Sequence, residues 1–260
     1  MKARQDVWII NGKHFTSRLL HCFGNVNDHI SHESAINFIK HSETDFLTIY
    51  TQGNLDTISG LDDFPIGYSG LFFKDLKNFF HDKEYTILVN TNHALTVKDA
   101  VKRAEIGFKY SKSKFIKLEV LNHQFTKPIN RKVIEASKIL LERSFIVMPL
   151  INANLSDAKK LEKMGCSAIR VMMSDIGSKK GLINKELFAN ICSSVRVPII
   201  AEGGLSGPED AYNAMIAGAS AVLTNKALFC YKNPLLLIES LKKSISAGRQ
   251  AFICNQKRKK

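Results

Sequence analysis

From about residue 86 onward, short apolar runs alternate with longer segments in which apolar residues recur every three or four positions. The short runs are typical of buried parallel strands and the longer segments of amphipathic helices. Strands are predicted at Thr86–Asn90, Phe115–Leu121, Phe145–Leu150, Ala168–Met172, Pro198–Ala201 and Ala221–Thr224. Helices are predicted at Thr96–Gly107, Arg131–Arg143, Leu155–Met164, Asn184–Ser194, Pro208–Ala217 and Asn233–Ala247. Gly165, Gly218 and Gly248 directly follow three of these helices, as expected at helix C-termini.

The first third of the chain is less regular. Val7–Ile10 and Lys13–Phe15 flank Asn11-Gly12, a pair typical of a two-residue hairpin turn. Further strands are predicted at Leu19–Cys22 and Phe46–Tyr50, and further helices around Ser31–Lys40 and Lys74–His81. Eight strands after the hairpin, alternating with helices, predict an α/β fold: a (β/α)8 TIM-type barrel with a short N-terminal hairpin, forming a single domain over residues 1–260. A doubly wound open sheet is the alternative.

The predicted strand Phe115–Leu121 is apolar apart from Lys117 and Glu119. Successive side chains on a strand point to opposite faces, so these two residues share one face. Burial destabilises a lone charged lysine, whereas a neighbouring glutamate can hold it in place and set its pKa. Such a lysine is a candidate Schiff-base nucleophile toward a carbonyl group, with the glutamate as a proton shuttle. A structural ion pair at a strand end is the alternative.

Glycine-rich or polar segments follow the last three predicted strands. They are Ile176–Gly181, Ala201–Pro208 and Leu223–Lys226. In a (β/α)8 barrel these segments lie at the end that carries the chemistry, and glycines let backbone amides approach an anion. Each segment alone could be an ordinary turn, but together with Lys117 they predict a phosphosugar site, with Glu202 at a strand end.

Other polar residues near the predicted strand exits are weaker candidates. His123 follows the Lys117 strand and could act as a base, although histidines at such positions more often cap a loop, and His21 and His93 are similar cases. Cys22 could be a nucleophile, but its motif contains no base to activate it.

Composition and charge narrow the function classes. The chain has 260 residues and a formal net charge of +13, but its basic residues are spread along predicted helices and no RNA-binding motif is present. We therefore expect the charge to attract a phosphorylated substrate or an acidic partner protein, not nucleic acid.

No apolar run approaches the roughly 18 residues of a membrane span and no signal peptide is recognisable, so we expect a cytoplasmic protein without membrane contact. Five scattered cysteines predict neither disulfides nor a zinc site.

The ordered set of short motifs resembles the thiazole synthase family of thiamine biosynthesis over nearly the whole chain. Phe115–Val120 resembles the family's strand W-[IVL]-K-L-E-[VI], whose lysine forms an imine with 1-deoxy-D-xylulose 5-phosphate. The other similar segments are Asn90-Thr91 with Thr96–Ala100, Leu161–Cys166, Asp175–Ser178 with Gly181-Leu182, Ile199–Gly204, Ala221–Ala227 and Ala247–Arg249.

The resemblance implies an enzyme that joins the ketose phosphate, dehydroglycine and sulfur from the C-terminal thiocarboxylate of a small ubiquitin-like carrier protein into a thiazole phosphate carboxylate. It implies that Lys117 is the imine-forming residue and that Glu119 and Glu202 transfer protons. The implied sugar-phosphate contacts are Gly177, Gly203, Gly204, Asn225 and Lys226. No metal or organic cofactor is implied, and the family suggests a homotetramer with bound carrier.

This sequence departs from the family pattern at four points. Glu202 stands where the family has an aspartate, and Lys226 stands where it has a threonine. The segment Cys22–Val26 replaces a Gly-Thr-Gly-Lys motif, and Tyr50–Gln52 lacks the usual basic residue. These departures leave two alternatives, a Schiff-base barrel that acts on another phosphosugar and a non-catalytic protein that binds the carrier.

Overall fold

The structure is a computed structural model that describes residues 6–22, 32–51, 59–66, 72–76, 85–224 and 231–256. The strands are β1 (Trp8–Ile10), β2 (Lys13–Phe15), β3 (Leu19–His21), β4 (Phe46–Tyr50), β5 (Thr86–Asn90), β6 (Phe115–Leu118), β7 (Ile146–Ile151), β8 (Ile169–Met172), β9 (Ile199–Glu202) and β10 (Ala221–Thr224). The helices are α1 (His32–Ser42), α2 (Phe73–Leu76), α3 (Val97–Ser111), α4 (Asn130–Glu142), α5 (Leu155–Met164), α6 (Lys185–Ser194), α7 (Pro208–Ile216) and α8 (Pro234–Asn255).

Strands β3 to β10 form one parallel eight-stranded sheet that curls into a nearly closed barrel. The hydrogen-bonded order is β3-β10-β9-β8-β7-β6-β5-β4, so β3 and β4 are the two edges. The two edges contact each other where Cys22, the residue after β3, places its Sγ 3.4 Å from Oγ1 of Thr48 in the middle of β4. The (β/α)8 TIM-type barrel predicted from the sequence is confirmed, and the open doubly wound sheet is excluded.

The predicted hairpin is confirmed and closes the amino-terminal end of the barrel. Strands β1 and β2 pair in antiparallel register, and Asn11 and Gly12 between them have φ values of 49° and 78°. Positive φ at both central residues is the requirement of a type I′ turn, which the Asn-Gly pair meets. Phe15 stacks on Phe46 with ring centroids 4.4 Å apart. Because Phe46 begins β4, the hairpin fills the interior below the strands and leaves their carboxyl ends open.

The last helix differs from the prediction. Gly248 was expected to follow a helix that ends at Ala247, but α8 continues through it to Asn255. A Cβ atom on Gly248 would lie 2.7 Å from the Tyr212 carbonyl oxygen and 2.8 Å from the Met215 Cβ. This glycine therefore serves the close approach of α7 and α8 and does not end a helix.

Boundaries of other elements also shift. Helix α3 runs past Gly107 to Ser111, and β6 ends at Leu118 because the chain then turns to bridge Leu121 to Pro128. Of the helix predicted at residues 74–81, the part beyond Leu76 lies outside the described residues. In the described part of the chain, no helix combines the length and apolar character needed to cross a bilayer.

Candidate active site

Lys117 lies inside the carboxyl-terminal end of the barrel. Its strand, β6, pairs with β5 and β7, which bring Asn90 and Met148 beside it. The lysine is 2% exposed, and its Nζ donates hydrogen bonds to Glu119 and, at 3.0 Å, to Glu202 Oε1 on β9. Glu119 lies one residue beyond the end of β6, but its side chain meets Lys117 as the spacing predicts, and the predicted residue Glu202 contacts the same ammonium group.

Glu119 and Glu202 are fixed through their backbones. The Thr91 hydroxyl, at the exit of β5, accepts a hydrogen bond from the Glu119 amide at 2.8 Å and donates one to the Glu119 carbonyl at 2.9 Å. The Met173 amide donates to the Glu202 carbonyl at 2.7 Å. Neighbouring strand exits therefore hold both carboxylates in place from either side of the lysine.

A fourth charged residue of the site, Arg170, is not among the residues predicted from the sequence. This arginine is on β8, is completely buried, and donates from NH1 to Glu202 Oε2 at 2.7 Å and to Glu119 Oε1 at 3.1 Å. Its remaining donors reach backbone carbonyls, Nε to Met148 at 2.9 Å and NH2 to Leu118 at 2.6 Å. The signal was available, since Arg170 interrupts an apolar predicted strand just as Lys117 does.

The four side chains form a charge-balanced cluster of two cations and two carboxylates. Burial and Arg170 both lower the pKa of Lys117, but the negative charges of the two glutamates favour the ammonium form, and this pKa lies above the usual value. For Glu119, burial opposes ionisation, whereas Lys117 and Arg170 favour it and leave its pKa below the usual value. The resting site is thus an ammonium ion held between two carboxylates.

A cavity of about 290 Å³ opens from this cluster toward solvent. Its lining includes Lys117, Glu119, Glu202 and Cys22. Burial raises the pKa of the Cys22 thiol, so this cysteine is a neutral polar wall of the cavity in the resting protein. The cavity gives a small carbonyl compound access to the lysine.

The glycines predicted as phosphate contacts line the side of the cavity formed by the loops after β8 and β9. Gly177, Gly203 and Gly204 have φ values of 75°, 80° and 64°. A Cβ atom on Gly203 would lie 2.7 Å from the Ser174 carbonyl oxygen, so only glycine fits there without displacement. The Gly181 amide donates to the Gly204 carbonyl at 2.8 Å and joins the two loops. Asn225 and Lys226, the other two predicted contacts, lie outside the described residues.

The mouth of the cavity carries an aromatic pair, His93 and Phe125. Their ring centroids are 4.7 Å apart, and both residues have positive φ, 62° and 55°. Burial and Arg103 lower the pKa of His93 more than Glu119 raises it, so its imidazole is predominantly neutral at pH 7. Of the three candidate histidines, His93 is therefore the one that lines the cavity, whereas His123 is exposed and His21 forms a hydrogen bond with Ser42 at 2.7 Å.

Within the described ranges, no cluster of three or more His, Cys, Asp or Glu side chains is arranged to hold a metal ion.

The fold and the site define a (β/α)8 barrel with a buried lysine, flanked by carboxylates, at the carboxyl ends of its strands. A family model described as thiazole biosynthesis protein ThiG matches residues 9–260, and the chain belongs to this family. Thiazole synthase from Prochlorococcus marinus (strain MIT 9312) is 31% identical over 257 residues, covering 96% of this chain and 91% of that protein. Thiazole synthase from Clostridium acetobutylicum is 34% identical over 176 residues, covering 67% of this chain and 69% of that protein.

A solved structure extends the similarity to three dimensions. The crystal structure of the Amycolatopsis orientalis BexX/CysO complex contains a chain that superposes with a TM-score of 0.82 at 25% identity and 97% coverage of both chains.

Proposed function

We propose that this protein is an active thiazole synthase that condenses 1-deoxy-D-xylulose 5-phosphate, dehydroglycine and carrier-bound sulfur into a thiazole phosphate carboxylate. The observation that carries the proposal is the buried Lys117, held between Glu119 and Glu202 on the wall of an open cavity. Membership in the thiazole biosynthesis family supports the substrate set.

In the proposed reaction, Lys117 loses a proton, attacks the ketone and forms an imine with release of one water. The imine withdraws electrons from the adjacent carbon and makes its hydrogen acidic. Proton transfers along the sugar then require acid-base groups within hydrogen-bond reach, and Glu119 and Glu202 are the nearest ones to Nζ. No metal or organic cofactor takes part in these steps.

The phosphate is proposed to bind at the loops after β8 and β9, where Gly177, Gly203 and Gly204 line the cavity. Lys179 also lines the cavity and supplies a positive charge for the anion. Anchoring the phosphate would present the ketone to Lys117 in one orientation, which accelerates attack. We propose Asn225 and Lys226 as further contacts on the sequence resemblance alone.

The sulfur donor is proposed to be the C-terminal thiocarboxylate of a small ubiquitin-like carrier protein. Support comes from the BexX chain, whose structure was solved together with a second protein, CysO. A flexible C-terminal tail could reach the lysine through the cavity mouth beside His93 and Phe125. A homotetramer, the assembly that the resemblance implies, can be tested by light scattering.

The direct test is turnover. Protein, 1-deoxy-D-xylulose 5-phosphate, dehydroglycine and carrier thiocarboxylate are incubated, and the thiazole phosphate carboxylate is measured by mass spectrometry. We expect product with the wild type and none with Lys117→Ala. Equal product from both proteins would contradict the proposal.

A second candidate is a Schiff-base reaction on another phosphosugar. Cys22 favours it, because this cysteine lines the cavity where the family pattern begins with glycine and therefore reshapes the substrate end. Borohydride trapping with a panel of ketose and aldose phosphates separates the two candidates. Faster adduct formation with a sugar other than 1-deoxy-D-xylulose 5-phosphate would favour the second one.

A further inference from the structure

The two carboxylates beside Lys117 are held differently. Glu119 uses a single oxygen, Oε1, to accept from both Lys117 and Arg170. Glu202 uses one oxygen for each cation, Oε1 for Lys117 at 3.0 Å and Oε2 for Arg170 at 2.7 Å. Arg170 therefore makes the two glutamates inequivalent, although both touch the same ammonium group.

The difference decides which carboxylate can take a proton at low cost. A proton on Glu119 Oε1 would disrupt two charge-assisted hydrogen bonds at one atom, those from Lys117 and Arg170. A proton moving from Lys117 to Glu202 Oε1 converts one ion pair into a neutral hydrogen bond and leaves the contact between Oε2 and Arg170 intact. Pairs of carboxylates in unequal surroundings commonly divide acid-base roles in this way.

We propose that Arg170 is a positioning residue that keeps Glu119 ionised and sets Glu202 as the acceptor of the Lys117 proton. This inference rests on the proposed imine chemistry of Lys117. The step is a proton transfer from the Nζ ammonium to Glu202 Oε1, which leaves a neutral amine with its electron pair free for the substrate carbonyl. Arg170 has no exposed surface, so it acts on the lysine from behind the two glutamates and not by contact with the substrate.

The same geometry explains why residue 202 is a glutamate. Its carboxylate spans the two cations, with contacts of 3.0 and 2.7 Å. An aspartate would withdraw the carboxylate by about 1 Å, which is enough to lose one of the two contacts. Glu202 and Arg170 thus form a matched pair, in which the longer side chain of glutamate reaches Arg170 without losing Lys117. The replacement of the family's aspartate by Glu202 therefore keeps the contact between this carboxylate and the lysine.

The first test measures Lys117 itself and needs no knowledge of the substrate. The protein is reductively methylated with formaldehyde and cyanoborohydride at fixed pH values between 8 and 10, and the rate of labelling of the Lys117 peptide is measured by mass spectrometry. In this range the ammonium form dominates, so the rate is proportional to the fraction of neutral amine. A neutral side chain at position 170 removes the cation that opposes the Lys117 charge. We therefore expect Arg170→Gln and Arg170→Met to slow labelling of Lys117 about 10-fold or more at each pH.

The control is Arg18→Met. Arg18 is also buried and paired with a carboxylate, Asp6, but it precedes β3 at the opposite end of the barrel. This variant should leave the rate of Lys117 labelling unchanged. Equal rates in wild type and in a folded neutral Arg170 variant would overturn the proposal, whatever sugar the protein uses.

A double-mutant cycle covers the case in which neutral variants do not fold. Arg170→Lys keeps the charge but loses the guanidinium nitrogens Nε and NH2, whose bonds to the Met148 and Leu118 carbonyls hold NH1 between the two glutamates. Adduct formation with 1-deoxy-D-xylulose 5-phosphate and borohydride is then measured for Glu202→Asp in two backgrounds. The substitution should slow adduct formation about 10- to 100-fold in the wild-type background, and less than about 3-fold in the Arg170→Lys background. Equal penalties in the two backgrounds would contradict the matched pair. Absence of any wild-type adduct would instead count against the proposed substrate, and the methylation rates would still decide the role of Arg170.

Discussion

At the scale of single residues, the site keeps four charges out of water because each is paired at least twice. Arg170 donates to two carboxylates and two backbone carbonyls, and Lys117 donates to the same two carboxylates. Removing one partner from such a cluster leaves a buried charge uncompensated, which commonly costs several kcal/mol. The ion pairs of the cluster therefore stabilise the folded site as well as place the residues for the proposed chemistry.

Gly203 gives a residue-scale prediction. Its φ of 80° nearly equals the 78° of Gly12, but a Cβ atom at Gly203 would meet the Ser174 carbonyl oxygen, whereas nothing lies within 4 Å of one at Gly12. Gly12→Ala should cost about 1 kcal/mol from backbone strain alone. Gly203→Ala should cost about 2–4 kcal/mol in the free energy of unfolding and should weaken phosphate binding. Urea unfolding of both variants measures the difference, and equal losses would show that the contact with Ser174 is unimportant.

The sequence predicted three of the four charged residues because each follows a recognised rule. Lys117 and Glu119 interrupt an apolar strand together, and Glu202 is at a strand end before a glycine loop. Arg170 also interrupts an apolar strand, but a single charge on a strand indicates no partner until the barrel brings β6, β8 and β9 together. His93 is one of three equivalent histidine candidates in the sequence, and its place at the cavity mouth depends on a loop with positive φ that the sequence does not predict.

At the scale of elements, the packing of α7 against α8 explains the one large error in the predicted helices. A glycine near a helix terminus most commonly marks the helix end, so the sequence predicts an end at Gly248. In the structure Gly248 lies within α8, where the missing side chain lets the backbone of α7 approach at Tyr212. Local sequence cannot distinguish these roles, because the second one depends on a neighbouring helix.

This packing gives an element-scale prediction. Helix propensity alone predicts that Gly248→Ala stabilises the protein by about 1 kcal/mol. The contact of 2.7 Å with the Tyr212 carbonyl oxygen predicts the opposite, a loss of about 1–3 kcal/mol. Ser246→Ala, at an exposed position of the same helix, serves as the control and should change stability by less than about 0.5 kcal/mol. Thermal unfolding decides between the two signs.

At the scale of the whole molecule, the two ends of the barrel have separate tasks. The hairpin and the residues before it close the amino-terminal end, where Asp6 binds both Arg18 and Arg249 of α8. The carboxyl-terminal end carries the cavity and the buried charges. The alternation of strands and helices was readable from the sequence, because apolar parallel strands must be covered by amphipathic helices.

The Asp6 contacts give a prediction with a defined pH dependence. Partial burial opposes ionisation of Asp6, but Arg249 and Arg18 outweigh it and lower its pKa. A carboxylate with a lowered pKa stabilises the folded state above its unfolded pKa of about 4, and the contribution disappears as pH falls through the folded pKa. Because the group is partly exposed, Asp6→Asn should cost only about 0.5–1 kcal/mol at pH 7 and less near pH 3.

Urea unfolding at the two pH values measures this loss. Glu135→Gln, which removes a carboxylate from the exposed face of α4, is the control and should change stability by less than about 0.5 kcal/mol at pH 7. A cost for Asp6→Asn that stays constant from pH 7 to pH 3 would show that the side chain acts without its charge.

The central claim is that Lys117 forms an imine with the substrate, and one measurement tests it most directly. The protein is incubated with 1-deoxy-D-xylulose 5-phosphate, reduced with borohydride and digested, and the modified peptide is identified by mass spectrometry. We predict one adduct, on Lys117, with the mass of the sugar phosphate joined through a reduced imine. Lys117→Ala, folded as judged by circular dichroism, should carry none. An adduct on another lysine, or no adduct on a folded wild-type protein, would contradict the account.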